Sequence, residues 1–192
     1  MIYICTHKEV AYTLDYDHIV IDNNKSTLPE DYGHMRGVYW LWKNVDLPDE
    51  VGIFQQRRYL DINYIPEGYS CVNSNGTGFN LPEHMSVREQ YNSCKNCNVL
   101  CLDIFDNIIG EDFAQYVRNY SCRKMLIHDM FIMKRDDFNR YCEFIFSVLK
   151  KKNDIIGPAE NRWLSERLTS YWFWKNFKQE EIFLAKAITI EK

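Results

Sequence analysis

The stretch Val51-Gly-Ile-Phe-Gln-Gln-Arg-Arg-Tyr59 joins a short apolar run to a polar and basic segment. Short β-branched and aromatic runs that end in polar residues are typical of buried strands. Two similar runs come earlier, Ile2-Tyr-Ile-Cys5 and His18-Ile-Val-Ile21, and each is also followed by polar residues. The three runs predict neighbouring parallel strands that end at one edge of a sheet.

Helical patterns alternate with these strands along the chain. Residues 37–45 have apolar side chains at helical spacing, and residues 136–152 carry one apolar stripe with acidic residues at the start and lysines at the end. We expect further helices at 111–120 and 160–177, and further strands at 99–102, at 130–133 and within 182–190. This alternation predicts an α/β fold with a mostly parallel central sheet and helices on both faces.

The middle of the chain, residues 64–98, shows no clear periodicity and is rich in Gly, Asn, Ser and Pro. A segment of this length inside a compact domain is usually functional or mobile. The 192 residues suffice for one domain with a sizeable core, and no composition change marks a boundary. We therefore expect a single domain over 1–192, with an irregular and mobile insert at about 64–98.

Charge and hydropathy exclude several classes of protein. The formal net charge is −4 and the isoelectric point is about 5.7, so the chain lacks the basic footprint of a nucleic-acid-binding protein. No run of 18 apolar residues predicts a transmembrane segment, and residues 1–8 do not resemble a signal peptide. These features predict a cytoplasmic protein, in the host cytoplasm if the source is viral.

The seven cysteines are an odd number in a chain without an export signal, which predicts reduced thiols. Cys94, Cys97 and Cys101, with His84 upstream, raise the alternative of a zinc-stabilised interaction domain. Structural zinc sites need a fourth ligand at a familiar spacing, and no second Cys-x-x-Cys or His pair provides one.

Polar residues at the ends of the three predicted strands are the first candidates for a binding site. They are Thr6, His7, Lys8, Asp22, Gln55, Gln56, Arg57 and Arg58, and Asn23 and Asn24 follow Asp22 at the end of the second strand. Ligands of open α/β sheets bind beyond the carboxyl ends of the strands, and the planar guanidinium fork suits phosphate oxygens. The pattern therefore predicts a crevice that holds a diphosphate, with Asp22 accepting from a ribose hydroxyl. The alternative is that these residues are solvated loop ends.

Five segments of the chain resemble a family of bacterial capsular-polysaccharide and lipopolysaccharide glycosyltransferases, long catalogued as a domain of unknown function. In family order they are Thr6-His-Lys8, Tyr39-Trp-Leu-Trp-Lys-Asn44, Val51-Gly-Ile-Phe-Gln-Gln-Arg-Arg-Tyr59, Met130-Phe-Ile-Met-Lys-Arg-Asp-Asp-Phe-Asn-Arg-Tyr-Cys142 and Trp163-Leu-Ser-Glu-Arg-Leu168. Each is short, but together they span nearly the whole chain. A related domain occurs in large chlorovirus proteins thought to glycosylate the capsid, and the Asn- and Cys-rich middle fits such a source.

The resemblance implies a GT-A-like fold and a hexosyltransferase-like enzyme that moves a sugar from a nucleotide-diphosphate sugar, a UDP-sugar, to a glycan or glycoprotein acceptor. It also implies that the chain is one domain of a larger protein. Near the nucleotide it places Thr6, His7 and Lys8; near the diphosphate it places Arg57, Arg58 and Tyr59; Lys43 and Arg167 are further substrate-binding candidates. The chain departs from the family where Gln55-Gln56 replaces the usual His-Tyr, and its middle region is short.

Two acidic residues are candidate catalytic bases, because an inverting transfer must deprotonate the acceptor hydroxyl. Asp129 precedes the strand predicted at 130–133, and Glu166 lies in the last predicted helix. His128 could tune or replace Asp129. The structural alternatives are a strand-start cap for Asp129 and an ion pair with Arg162 or Arg167 for Glu166.

A divalent metal, Mn²⁺ or Mg²⁺, is a candidate cofactor, because many GT-A enzymes hold one with an Asp-x-Asp motif that neutralises the leaving diphosphate. Asp15-Tyr-Asp17 has this spelling but precedes the second predicted strand, and Asp61-Ile-Asn63 is the nearest variant. Arg57 and Arg58 could take over part of the charge. Metal dependence stays open, as does the alternative that the chain is a non-catalytic nucleotide-sugar or glycan binding module.

Overall fold

Strands pair into one mixed sheet in the computed structural model, which describes residues 1–74, 82, 84–94, 97, 100–126 and 128–190. Within these residues the strands are β1 Ile2–Thr6, β2 His18–Asp22, β3 Glu50–Gln55, β4 Arg58–Leu60, β5 Cys71–Ser74, β6 Phe131–Lys134, β7 Ile182–Ala185 and β8 Ala187–Thr189. Six strands run in the order β2-β1-β3-β6-β5-β7, while β4 pairs with β3 and β8.

The described α-helices are α1 Met35–Asn44, α2 Val87–Ser93, α3 Leu100–Ile109, α4 Glu111–Asn119, α5 Arg135–Ile156 and α6 Asn161–Asn176. The helices predicted at 37–45, 111–120, 136–152 and 160–177 are confirmed, and α5 continues beyond the predicted end to Ile156. The strand predicted at 99–102 is wrong, because α3 begins at Leu100 and buries Cys101, Leu102 and Phe105 at helical spacing. A short apolar run does not by itself distinguish a strand from a buried helix.

The α/β class is confirmed, but the sheet is mixed rather than mostly parallel. Strand β1 runs parallel to β2 and β3, and β5 runs parallel to β7. In contrast, β6 is antiparallel to both β3 and β5, and β4 is antiparallel to β3 and β8. The β3–β4 connection is a tight turn that contains only Gln56 and Arg57, and such a short link can join only antiparallel strands.

The described helices cover one face of the sheet, not both as predicted. Alternate strand residues such as Tyr3 and Val51 point into the larger core, to which all six described helices contribute. The strand residues that alternate with them, such as Ile4 and Phe54, point to the other face, into a smaller core that contains no residue of these helices. The link between β1 and β2 packs there instead through Val10, Tyr12, Leu14 and Tyr16. Its apolar residues recur every second position, which favours an extended segment over a helix.

The irregular insert predicted at 64–98 contains two regular elements. Strand β5 is fully buried inside the sheet, and α2 begins with a capping box in which Ser86 and Glu89 bond each other's backbone amides. The Ser-x-x-Glu spacing was a readable signal for that helix start. Residues 75–81, 83, 95, 96, 98 and 99 lie outside the described part, so the expectation of mobility is not addressed there.

The strand register brings several chain segments to one edge of the sheet. Thr6 pairs with Asp22 and Cys5 with Gln55, so β1, β2 and β3 end together. Because β6 is antiparallel to β3, the residues just before β6 reach the same edge. We call this the carboxyl edge. Helix α1 begins there, and Gly37 permits its close approach, since a Cβ at Gly37 would lie 2.3 Å from Asn23 Oδ1.

Within the described ranges, no helix combines the length and the apolar character needed to cross a bilayer.

Candidate functional site

A cavity of about 180 Å³ opens at the carboxyl edge, and we call it the edge cavity. Its lining residues are Cys5, Thr6, His7, Asn23, Gly33, His34, Gln55, Gln56, Arg57 and Arg58. Six residues predicted to bind substrate are among them: Thr6, His7, Gln55, Gln56, Arg57 and Arg58. The parallel pairing of β1 with β3 thus brings two predicted strand ends together, and the binding roles of these residues stay predictions.

Two arginines make the edge cavity cationic. Arg57 is exposed in the β3–β4 turn, whereas Arg58 is half-buried and its Nη1 donates to Gln55 Oε1 at 3.3 Å. No carboxylate is among the described residues that line the cavity. Guanidinium groups that no lining carboxylate neutralises favour an anionic ligand with several oxygens, such as a phosphate.

A buried polar cluster lies beside the cavity, in front of β6. Ser165 Oγ of α6 donates to Asp129 Oδ2 at 2.7 Å, and His34 Nε2 lies 3.2 Å from the same oxygen. The Asp129 side chain is 0% exposed, and that of His34 is 18% exposed. We call these three residues the Asp129 cluster. His34 is the member that also lines the cavity.

The chain enters β6 through an unusual backbone conformation. His128 and Asp129 have φ angles of 75° and 49°, in the left-handed region that non-glycine residues rarely adopt. Such conformations cost on the order of 1–3 kcal/mol each and are found most often at functional sites. Gln55 supports this turn, since its Nε2 donates to the His128 carbonyl oxygen.

His128 is held in its neutral form near neutral pH. Burial lowers the pKa of His128 to about 4, and the nearby Arg58 guanidinium lowers it further while Asp129 opposes the shift. A neutral imidazole next to an arginine leaves the positive charge of that arginine available to a ligand.

Four buried side-chain atoms at the carboxyl edge have neither a hydrogen bond nor an ion-pair contact among the described residues. They are Asn23 Oδ1, Arg58 Nε, His128 Nδ1 and Asp129 Oδ1, while His34 Nε2 has only its contact with Asp129. Most buried polar atoms in proteins are paired, and each unpaired one costs about 1–3 kcal/mol. Their concentration at one place is typical of a site that is built to bond a polar ligand rather than to stabilise the fold.

Glu166 and Arg167 form a pair at the side of this region. Arg167 Nη1 donates to Glu166 Oε2 at 3.0 Å, as one structural alternative for Glu166 expected. Burial raises the pKa of Glu166, with Arg167 opposing the shift and Asp129 adding to it. Arg167 itself is buried, and its Nη2 donates to Gln90 Oε1 at 2.5 Å. Arg167 therefore connects α6 to α2. It was predicted to bind substrate, but it does not line the edge cavity.

Two residues predicted to bind substrate lie at the carboxyl edge but outside the cavity lining. Lys8 is exposed, and its backbone N–H bonds Thr6 Oγ1 at 2.9 Å. Asp22 is also exposed, and its Oδ1 accepts from Asn24 N at 2.9 Å as a cap of the following turn. The neighbouring Asn23 lines the cavity instead.

Lys43 and Tyr59, which were also predicted to bind substrate, lie away from the edge cavity. The start of α1 faces the cavity, so Lys43 lies about 13 Å further along the helix at ~1.5 Å per residue, where its Nζ sits over the Trp42 ring. Tyr59 packs against the smaller core, together with Leu60 of the same strand. Its ring centroid lies 4.7 Å from that of Tyr12 in the smaller core.

Sequence reasoning missed four residues of the site, Cys5, Gly33, His34 and Ser165, and it noted Asn23 only as part of a polar strand end. No motif marks His34, because its meeting with Asp129 depends on where α1 starts. Ser165 directly precedes the candidate base Glu166, so its place in the helix was predictable but its partner was not. Gly33 has a φ of +55°, and a Cβ there would lie 3.2 Å from the Arg162 Cβ.

The residues present do not match a divalent-metal site in the edge cavity, since Mg²⁺ and Mn²⁺ prefer carboxylate oxygens and none lines it. Asp15 and Asp61, from the two Asp-x-Asp-like sequences, line a separate groove on the other face. Among the described residues, no group of three or more His, Cys, Asp or Glu could hold a metal ion. Cys94, Cys97, Cys101 and His84 are among these described residues, and all seven cysteines are free of disulfides.

A comparison with models of known protein families finds one that matches most of the chain. A family model described as a domain of unknown function, DUF4422, matches residues 7–170. The chain belongs to this family. In this DUF4422 domain the match includes eight of the ten cavity residues, all but Cys5 and Thr6, together with the whole Asp129 cluster.

The fold of the DUF4422 domain is similar to the apo structure of WbbM, a bifunctional glycosyltransferase. The TM-score is 0.71 at 14% sequence identity, and the match covers 100% of this chain and 45% of that chain. The chain thus spans a little under half the length of the protein it resembles. A search of the curated proteins found no match. At this identity the likeness establishes the fold.

Proposed function

We propose that this domain is a glycosyltransferase that moves a sugar from a nucleotide-diphosphate sugar to a hydroxyl acceptor. The observation that carries the proposal is the edge cavity, where Arg57 and Arg58 meet unpaired buried polar atoms at the ends of parallel strands. Ligands of α/β sheets bind at this edge. The fold shared with a bifunctional glycosyltransferase and the DUF4422 membership support the same assignment.

Each side of the site has a role in this proposal. Arg57 and Arg58 bind the diphosphate and stabilise the negative charge that develops on it as the sugar leaves. Thr6 and His7 lie on the nucleotide side. The acceptor hydroxyl approaches from the side of the Asp129 cluster and Glu166.

The donor set of the cavity favours charge neutralisation by arginine over a metal. We therefore propose that Arg57 and Arg58 neutralise the leaving group, and we treat Mn²⁺ or Mg²⁺ as a variable to be tested. Arginine suits this task because its planar fork can contact two phosphate oxygens at once.

The finer assignment follows the family resemblance. We propose a UDP-sugar donor, hexosyl transfer, and a glycan or glycoprotein acceptor in polysaccharide biosynthesis or viral capsid glycosylation in the cytoplasm. Because the chain covers 45% of the WbbM chain, we also propose that it works as one domain of a longer protein.

A thermal-shift screen of nucleotide sugars, with and without Mn²⁺, tests the proposed function. A donor at 100 times its Kd stabilises the folded chain by about 2.7 kcal/mol. In a chain of this size that raises the Tm by about 5–10 °C. We expect the shift with UDP-sugars in the wild type and its loss in Arg58→Ala, whereas Arg123→Ala, an exposed arginine outside the cavity, keeps it.

The same screen separates the outcomes. If no nucleotide sugar raises the Tm, the proposal is wrong. If a UDP-sugar raises the Tm but no UDP is released over long incubation, the chain is a binding module. The absence of a carboxylate from the cavity lining is the observation that favours this second candidate.

A further inference from the structure

The edge cavity contains few groups that can take a proton. Its titratable lining residues are Cys5, His7, His34, Arg57 and Arg58. Burial raises the pKa of Cys5 to about 12, and arginine stays protonated. Of the two histidines, His7 is exposed, whereas His34 has a buried carboxylate oxygen 3.2 Å from its ring.

The two acidic candidates for a catalytic base are less well placed than His34. Asp129 is fully buried, does not line the cavity, and already accepts from Ser165. Glu166 is 21% exposed but is paired with Arg167 and is also outside the lining. A base must come within hydrogen-bond reach of the proton that it removes.

We propose that His34 is the catalytic base and that Asp129, fixed by Ser165, is a positioning residue for it. This inference rests on the proposed function. A carboxylate that faces one ring nitrogen fixes the orientation and tautomer of an imidazole, so that the other nitrogen can accept a proton. In His34 the nitrogen near Asp129 is Nε2, which leaves Nδ1 as the nitrogen that accepts the proton.

The step is a single displacement. Nδ1 of His34 takes the proton of the acceptor hydroxyl as that oxygen bonds to the anomeric carbon. The bond between this carbon and the diphosphate oxygen breaks, its electron pair leaves with the nucleoside diphosphate, and the imidazolium returns its proton to solvent. Attack from the face opposite the leaving group inverts the anomeric configuration, so the product is expected to be inverted.

Chemical rescue tests this assignment with water in place of the sugar acceptor, so the identity of the acceptor is not needed. We measure UDP release from the UDP-sugar that gives the largest thermal shift, and UDP affinity by calorimetry. His34→Ala should lower the release rate by about 10²–10⁴-fold and change UDP affinity by less than about threefold. Added imidazole should raise the UDP release rate of His34→Ala at least tenfold, and it should not raise the rate of the other chains. His18→Ala, at the other end of β2, should match the wild type.

Asp129→Asn provides the second variant, and it keeps the volume of the side chain. It should lower the release rate by about 10–100-fold, which is the loss of activity expected when a group that supports a catalytic residue is removed. Added imidazole should not restore this rate. If His34→Ala retains the wild-type rate, or loses UDP affinity and is not rescued, His34 is not the base. A product with retained anomeric configuration would also overturn the inference.

Failure of the proposed function has a different signature. If the wild-type chain binds UDP-sugars and releases UDP, while His34→Ala does so equally well, only the role of His34 is overturned. If the wild-type chain neither binds a nucleotide sugar nor releases UDP, the proposed function and the role of His34 are both wrong.

Discussion

Two buried polar regions of this molecule differ in how completely their atoms are paired. At the joint between α5 and α6, the 0% exposed Lys152 donates from Nζ to the carbonyl oxygens of Gly157 and Ala159 and to Asn161 Oδ1. At the carboxyl edge, four buried atoms have no such partner among the described residues. The first region stabilises the fold, and under the proposed function the second gives up stability for binding.

The largest effect is expected from Lys152→Ala. Removal of the ammonium group takes the donor from the buried Asn161 Oδ1 and from the part-buried carbonyl oxygens of Gly157 and Ala159, which should lower the free energy of unfolding by about 3–5 kcal/mol. Urea denaturation measures the change, and the neighbouring exposed Lys151→Ala should stay within about 0.5 kcal/mol of the wild type. A loss below about 1 kcal/mol in Lys152→Ala would show that the α5–α6 joint is not the paired, stabilising region that we describe.

Gly37→Ala disturbs the other region. The added Cβ would lie 2.3 Å from Asn23 Oδ1 and 2.8 Å from Cys5 Cβ, so Asn23 must move out of the edge cavity or α1 must shift. We expect a loss of about 1–3 kcal/mol in unfolding free energy, although alanine favours helices, together with weaker UDP binding. Asn23→Ala combined with Gly37→Ala should recover part of the stability but not the binding. Unchanged stability in Gly37→Ala would contradict the close packing of α1 on β1.

The smallest effect per unit of the variable changed is a pH dependence that belongs to the carboxyl edge. The pKa of His128 is about 4 in the folded chain and about 6.5 when unfolded, so the unfolded state binds more protons between these values. Stability from neutral His128 is therefore complete above pH 6.5 and is lost as the pH falls toward 4. The slope is at most about 1.4 kcal/mol per pH unit.

Urea denaturation across about pH 4–7 measures this slope. His128→Gln should flatten it, because glutamine does not titrate, while His18→Ala should leave it as in the wild type. The same slope in His128→Gln and the wild type would show that His128 is not held neutral by its surroundings.

Much of the fold could be predicted from local patterns. The apolar runs of β1, β2 and β3 and the amphipathic stripe of α5 are local signals, and the structure confirms all four elements. The direction of β6 was not readable, because it depends on pairing with β3 and β5 over long sequence distances. Helix α3 was missed because its apolar start fits strand and helix equally well.

The residues of the site also divide into those that the local sequence predicts and those that it does not. Arg57 and Arg58 were predictable because they directly follow a recognisable strand, whose end fixes their position. His34 and Ser165 were not, because His34 reaches Asp129 from the N-cap of α1 and Ser165 from α6, and only the tertiary packing brings the two together. The place of Tyr59 was not predictable either, because it packs against Tyr12 of the distant β1–β2 link.

Titration of UDP into the wild-type chain, Arg58→Ala and Arg123→Ala tests the central claim most directly. If the carboxyl edge binds a nucleoside diphosphate through arginine, Arg58→Ala should weaken UDP binding at least tenfold, the ~1.5–3 kcal/mol of a charged hydrogen bond. Its unfolding free energy should change by less than about 1 kcal/mol, because the Nε of Arg58 is already unpaired. Equal UDP affinity in all three chains would contradict this account.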